Sequence, residues 1–167
     1  VSTRSSDKLE VIYSDVCGPI QTESLGGNRN FVSFIDDLNR KAWIYLFKRK
    51  SDVFELFKKF KSLVEKQSGK HIKVLRIDGG GEYASNEFQN LCEAEGIVHE
   101  VTPPYTPQHN DTPKRKNITI MNMVRSMLKS KMVPNYLWGE ATFTAVYVLN
   151  RSATKRLSGK TPEEAWT

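Results

Sequence analysis

Two aspartates, Asp15 and Asp78, stand at the ends of apolar runs, where a carboxylate can be put to chemical use. Val74, Leu75 and Ile77 run into Asp78, and Gly79, Gly80 and Gly81 follow at once. This reads as a buried strand that opens into a tight loop. A carboxylate at the carboxyl end of a core strand lies at the mouth of an α/β sheet, where ligands bind. The glycines let the backbone turn and let something large come close. The competing reading is an aspartate that merely caps a turn. Asp15 sits in the same kind of place, near the end of Glu10–Val16. Buried acids are rare unless they are paired or metal-bound, whereas an exposed edge-strand aspartate would need no explanation. The other chemistry-bearing residues do not assemble. Cys17 and Cys92 lie 75 positions apart (92 − 17), no CxxC exists, and His71, His99 and His109 do not combine with them at zinc-finger spacing. Both cysteines read as small buried or half-buried groups of a reducing compartment.

The elements that must position the two acids follow from periodicity. In Glu10–Val16, residues Val11, Tyr13 and Asp15 face one way and Ile12, Ser14 and Val16 the other. Asn30–Ile35 and Lys41–Phe47 are aromatic and β-branched runs around Asp36-Asp37-Leu38-Asn39, which predicts a hairpin with a polar turn. Ser51-Asp52 opens a helix whose apolar face is Val53, Leu56, Phe57, Phe60, Leu63 and Val64. Lys58, Lys59, Lys61 and Lys66 take the opposite face, and Ser68-Gly69 ends the helix. After the strand Ile72–Asp78, a helix runs from Ser85-Asn86-Glu87 to Gly96, and Ile97–Val101 is a fifth strand. That alternation predicts parallel pairing after an antiparallel start.

Thr102–Pro113 carries four prolines in 12 residues (113 − 102 + 1) and predicts an irregular loop, long enough to carry function. A helix follows over Lys114–Lys131, with Ile120, Met121, Val124, Met127 and Leu128 as its buried stripe. Lys114 lies two turns before Met121, on the core-facing edge, and Arg115 and Lys116 turn to solvent. Arg125, Lys129 and Lys131 extend the positive surface. The last helix, from Pro134, carries Tyr136, Leu137, Trp138, Phe143, Val146, Tyr147 and Leu149, and is expected to pack on the body. Trp166 is expected to dock back.

The chain has 167 residues, 38% of them hydrophobic and 26% charged, which fits one globular domain over 10–167 behind a linker at 1–9. The formal net charge of +6 favours a polyanionic partner, with nucleic acid ahead of acidic membrane. With no apolar run of membrane length and no signal peptide, the expectation is an intracellular protein.

In order along the chain, these landmarks resemble the integrase catalytic core of copia-type LTR retrotransposons. The resemblance is carried by SDVCGPI at Ser14–Ile20, FIDDLNRKAWIYLFKRKSDVFELFKKFK at Phe34–Lys61 and LRIDGGGEY at Leu75–Tyr83. It continues with TPPYTPQHN at Thr102–Asn110, RKN at Arg115–Asn117 and KTPEEAW at Lys160–Trp166. It implies an RNase H-like α/β fold: a five-stranded mixed sheet, three strands antiparallel and then two parallel, flanked by helices. It implies 3′-processing and strand transfer of element DNA by a two-metal mechanism with Mg²⁺ or Mn²⁺. Asp15 and Asp78 would be the first two metal ligands. Tyr105, His109, Asn110, Arg115, Lys116 and Arg125 would touch double-stranded DNA. A homodimer and a nuclear or cytoplasmic-particle location are also implied, with no membrane and no small-molecule substrate.

One position departs from the family pattern. The third carboxylate belongs 36 positions past Asp78 (114 − 78), and that slot holds Lys114. An ammonium cannot ligate Mg²⁺, and about 4 Å from a carboxylate it gains roughly 4 kcal/mol at an effective dielectric near 20. Lys114 is therefore expected to neutralise the Asp15/Asp78 pair and impair catalysis. Asp111 is a possible substitute ligand, and Glu82 is expected to make a structural hydrogen bond. The alternative is a non-catalytic nucleic-acid-binding or interaction module derived from an integrase. A nuclease for RNA–DNA hybrid would need a further acidic set, which this sequence does not show.

Overall fold

Alternation of apolar residues builds the sheet in the computed structural model, which describes residues 5–102 and 111–167. Strand β1 (Val11–Cys17) buries Val11 and Tyr13 on one face and Ile12 on the other, as a strand covered on both sides must. Strands β2 (Asn30–Asp36) and β3 (Ala42–Phe47) continue from it as an antiparallel meander, with Val16 opposite Val32 and Val32 opposite Tyr45. On its other side β1 pairs in parallel with β4 (Val74–Asp78), and β4 with β5 (Val98–Thr102). The order β3-β2-β1-β4-β5 is the expected mixed sheet of three antiparallel and then two parallel strands.

Helices α1 (Asp52–Ser68) and α2 (Asn86–Glu95) cover one face. Helices α3 (Asp111–Ser130) and α4 (Trp138–Asn150) cover the other. Along α1, Val53, Phe57, Phe60 and Val64 are buried at helical spacing, each burial contributing about 1.5–3 kcal/mol. Phe60 stacks on Phe34 of β2 with ring centroids 4.4 Å apart. The Ser51 side chain makes no capping bond. Instead the Asp52 carboxylate accepts the backbone N–H groups of Lys48 and Arg49 at 3.3 and 3.0 Å. Gly69 ends the helix at φ 68°, a conformation that disfavours residues with a Cβ.

Several expectations are corrected. The acids of the hairpin turn are buried structural groups. Asp36 accepts the N–H groups of Leu9 and Asn39 at 2.8 and 3.2 Å, and Asp37 accepts that of Ser5 at 3.1 Å. Leu9 is itself part of the core, so 5–9 pack on the domain where a linker was expected. Helix α3 starts at Asp111, three residues before the predicted start, because Pro113 at an early helical position is tolerated. Helix α4 buries Trp138, Thr142, Ala145, Val146 and Asn150, but Phe143, Tyr147 and Val148 are exposed. A single helix against a sheet covers only one face, so apolar residues all round leave the outer ones bare. Trp166, in the short helix α5 (Pro162–Trp166), does dock back, edge-on to Trp43 at 5.0 Å.

Candidate active site

The parallel register brings the two acids together. Val11 pairs with Val74 and Tyr13 with Arg76, so the same offset carried two residues on sets Asp15 beside Asp78. Both point to the α3 side, because Val11 and Tyr13 of the same parity pack there. Asp15 is only 8% exposed, and Asp78 is half-buried. Their carboxyls lie within hydrogen-bonding reach of each other. Burial first, and then the Asp78 charge, push the Asp15 carboxyl up to about 7. Asp15 therefore tends to keep its proton up to near neutral pH.

Neighbouring groups fix the pair in place. The Asn117 side-chain amide of α3 donates to Oδ2 of Asp15 at 3.3 Å, and the Gly80 N–H donates to Oδ1 of Asp78 at 3.3 Å. A Cβ on Gly80 would meet the mobile end of the Glu82 side chain and crowd Oδ1 of Asp78, so the turn passes close to the second acid here. Behind the pair, Ser14 and Tyr83 share a buried hydrogen bond that ties β1 to the turn after β4. Burial pushes the Tyr83 phenol far above its usual range, so it stays protonated. Glu82 forms an ion pair with Lys50 at 3.6 Å rather than the expected hydrogen bond. The nearby Cys17 thiol is raised by burial and by the Asp15 charge.

Lys114 is not where its spacing suggested. It is exposed and makes no ion pair with either acid; its charge lowers the Asp15 pKa from a distance, less strongly than burial and Asp78 raise it. The face that meets the sheet is Pro113, Asn117, Ile120 and Val124, which rotates Lys114 to the flank. Lys116, expected in solvent, is half-buried, and burial together with the nearby Arg40 guanidinium holds its ammonium below the usual lysine range. Arg115 and Arg125 are exposed. Tyr105, His109 and Asn110 lie outside the described residues. Asp111 opens α3, and its side chain is outside the described groups. Asn117 is a site residue that the sequence motifs do not single out, although its spacing to Ile120 and Val124 marks it as inward-facing.

The donor set fits a hard divalent cation only in part. Asp15 and Asp78 offer adjacent carboxylate oxygens whose mutual repulsion a cation would relieve. Among the described residues no group of three or more His, Cys, Asp or Glu stands together as a metal cage.

A mixed sheet of this order with an acid on β1 and another at the end of β4 is an RNase H-like core. The chain belongs to the integrase core domain family, whose model matches residues 6–107. It is 51% identical over 166 residues to the Retrovirus-related Pol polyprotein from transposon TNT 1-94 of Nicotiana tabacum, a match to 99% of this chain and 12% of that polyprotein. The chain thus spans about an eighth of the length of that relative. Two solved structures share the fold. One is a chain of the simian T-cell lymphotropic virus intasome in complex with PP2A regulatory subunit B56 gamma (TM-score 0.77, 18% identity, covering 98% of this chain and 56% of that one). The other is the HTLV-2 integrase catalytic core domain in complex with magnesium, trimeric form (TM-score 0.72, 20% identity, covering 98% and 100%).

Proposed function

We propose that this chain is a DNA-binding polynucleotidyl-transferase core of a retrotransposon integrase in which catalysis is impaired. The carrying observation is the meeting of Asp15 and Asp78 on one face of adjacent parallel strands. These two carboxylates would hold one divalent cation, Mg²⁺ or Mn²⁺, and the magnesium complex of the viral core with the same fold supports that choice. Bound there, the cation would activate a hydroxyl or water for attack on a phosphodiester and stabilise the leaving oxygen. Asn117 orients Asp15, the Gly80 N–H orients Asp78, and the Ser14–Tyr83 bond keeps the two strand ends from separating. The impairment lies in what is missing at position 114. The lysine does not quench the acids by contact; it supplies no third carboxylate, and its positive charge, felt at Asp15, would repel a cation there. Exposed Arg115 and Arg125 and half-buried Lys116 suit a phosphate backbone. Self-association belongs to the same reading, supported by the trimeric form of the viral core and the bare apolar side of α4.

The test compares the parent chain with Lys114→Glu on end-labelled duplex DNA in Mg²⁺ and in Mn²⁺. Both should bind DNA with affinity that falls steeply with salt. The parent should show little 3′-processing or strand transfer, and Lys114→Glu should gain at least about tenfold, some 1.4 kcal/mol of barrier. Binding without any gain would leave the non-catalytic nucleic-acid module as the correct reading. Failure of both forms to bind DNA would overturn the proposal.

A further inference from the structure

The groove beside the acids has no part in the reaction described so far. It opens between the β1–β2 connection, the middle of α3 and the start of α4, and has a volume of about 480 Å³. That is within the range of small-molecule sites, about 300–1,000 Å³. Its walls are fixed in advance. Trp138 Nε1 donates to the Thr22 carbonyl at 2.7 Å, and the Leu25 N–H donates to the Tyr136 carbonyl at 3.0 Å.

Three features define what it would hold. Its floor is apolar, formed by Ile20, Met121 and Leu128. Gln21 and Asn135, both exposed, also line it, and each carries a carboxamide with a donor beside an acceptor, as a base edge has. Arg125 also lines it, exposed, donating a hydrogen bond to neutral Asn122 at 3.2 Å and with no acidic partner among the described residues. A flat group with apolar faces, polar edges and an attached anion matches all three. The groove also lies next to the acid pair, because Cys17, which lines it, follows Asp15 by two residues on the same face of β1. At about 3.3 Å per residue, the step between them is about 7 Å.

We propose that this groove is a nucleotide subsite. It takes one base of the DNA strand whose end lies at Asp15 and Asp78, drawn out of the stack, with the adjoining phosphate on Arg125. This rests on the DNA-acting reading above and adds to it a place for an unpaired nucleotide.

The thiol of Cys17 reports on occupancy. In a Cys92→Ala chain it is the one cysteine left. Its modification rate by methyl methanethiosulfonate is measured alone, with a short duplex bearing a single-stranded 3′ end, and with the same duplex abasic at that end. DNA affinity is measured in parallel by fluorescence anisotropy. At about ten times the Kd, the first duplex should slow modification about tenfold. The abasic duplex should protect several-fold less, and Arg125→Gln should need more DNA for the same protection. Equal affinity with no protection would overturn the subsite and leave DNA binding standing. Equal protection by the abasic end would overturn it too, since only a backbone contact would remain. Absence of DNA binding at low salt would overturn the subsite together with the reading it rests on.

Discussion

Asn117 reaches across 102 residues of sequence to donate its amide to Oδ2 of Asp15, from a buried position on the second turn of α3. It is the side-chain donor to Asp15 among the described residues, and it couples the helix that carries position 114 to the strand that carries the first acid. Asn117→Ala removes that donor and leaves a small void. The expected cost is about 1–2 kcal/mol at pH 8, where Asp15 is ionised. Urea denaturation of both proteins at one pH checks it, and an unchanged midpoint would mean that the bond contributes nothing.

The acid pair also sets the pH dependence of stability. Burial and Asp78 raise Asp15 to about 7 from 3.8. Burial raises Asp36 to about 6. A raised carboxyl binds its proton more tightly folded than unfolded. Its stabilising contribution is therefore complete below about 3.8 and is lost as pH climbs to about 6–7. Burial lowers His99, which works the other way below its usual range, but that effect is common to parent and variant. Asp15→Asn removes the buried charge. At about 1.4 kcal/mol per tenfold, the parent loses up to about 4 kcal/mol by pH 8 in the absence of metal. The variant should be the more stable protein there, by about 2–4 kcal/mol, with the difference vanishing near pH 4. Thermal melts in EDTA at several pH values test this, and a parent as stable as Asp15→Asn at pH 8 would contradict it.

Gly80 separates local geometry from global stability. Its φ of −66° and ψ of 143° suit any residue, so alanine introduces no backbone strain. The added methyl meets the end of the Glu82 side chain, which can move, and Oδ1 of Asp78, which has less room. Gly80→Ala should shift the melting temperature by no more than about 2–4 °C, the equivalent of about 1 kcal/mol. Mn²⁺ affinity, read by titration calorimetry, should fall several-fold because Asp78 is displaced. Unaltered affinity would show that the crowding is absorbed by Glu82 alone.

Much of this molecule could be read from periodicity, and the departures at the site share one cause. Strand alternation placed Tyr13 and Asp15 on one face, and the glycines after Ile77-Asp78 placed the second acid at a strand end; the structure keeps both. Counting back two turns from Met121 points Lys114 inward, but Met121 is only half-buried and lies at the edge of the true stripe. The stripe runs through Pro113 and Asn117, and a search for apolar residues passes over an asparagine and a proline. Helical spacing can mark such a polar group as inward-facing, but the distant partner it bonds leaves no local signature. Asp36 bonding to Leu9 and Asn117 bonding to Asp15 become visible only when the sheet has formed.

Asn150 is the clearest such case outside the site. At the end of α4 it accepts the Ala42 N–H at Oδ1 and donates from Nδ2 to the Ala42 carbonyl, both at 2.9 Å. One side chain thus takes the place of a neighbouring strand at the edge formed by β3, and it fixes α4 against the sheet. Ala42 is 1% exposed, so water cannot replace the lost partners freely. Asn150→Ala leaves one buried donor and one buried acceptor unsatisfied, each at about 1–3 kcal/mol, and should cost about 2–4 kcal/mol in total. Asn150→Asp keeps the acceptor for the N–H but sets a carboxylate against the carbonyl, so it should do no better than alanine at pH 8. Hydrogen exchange at the Ala42 amide is the direct reading: protection should drop in both variants by more than the global loss of stability explains. Retained protection would mean that the edge is held by something other than this side chain.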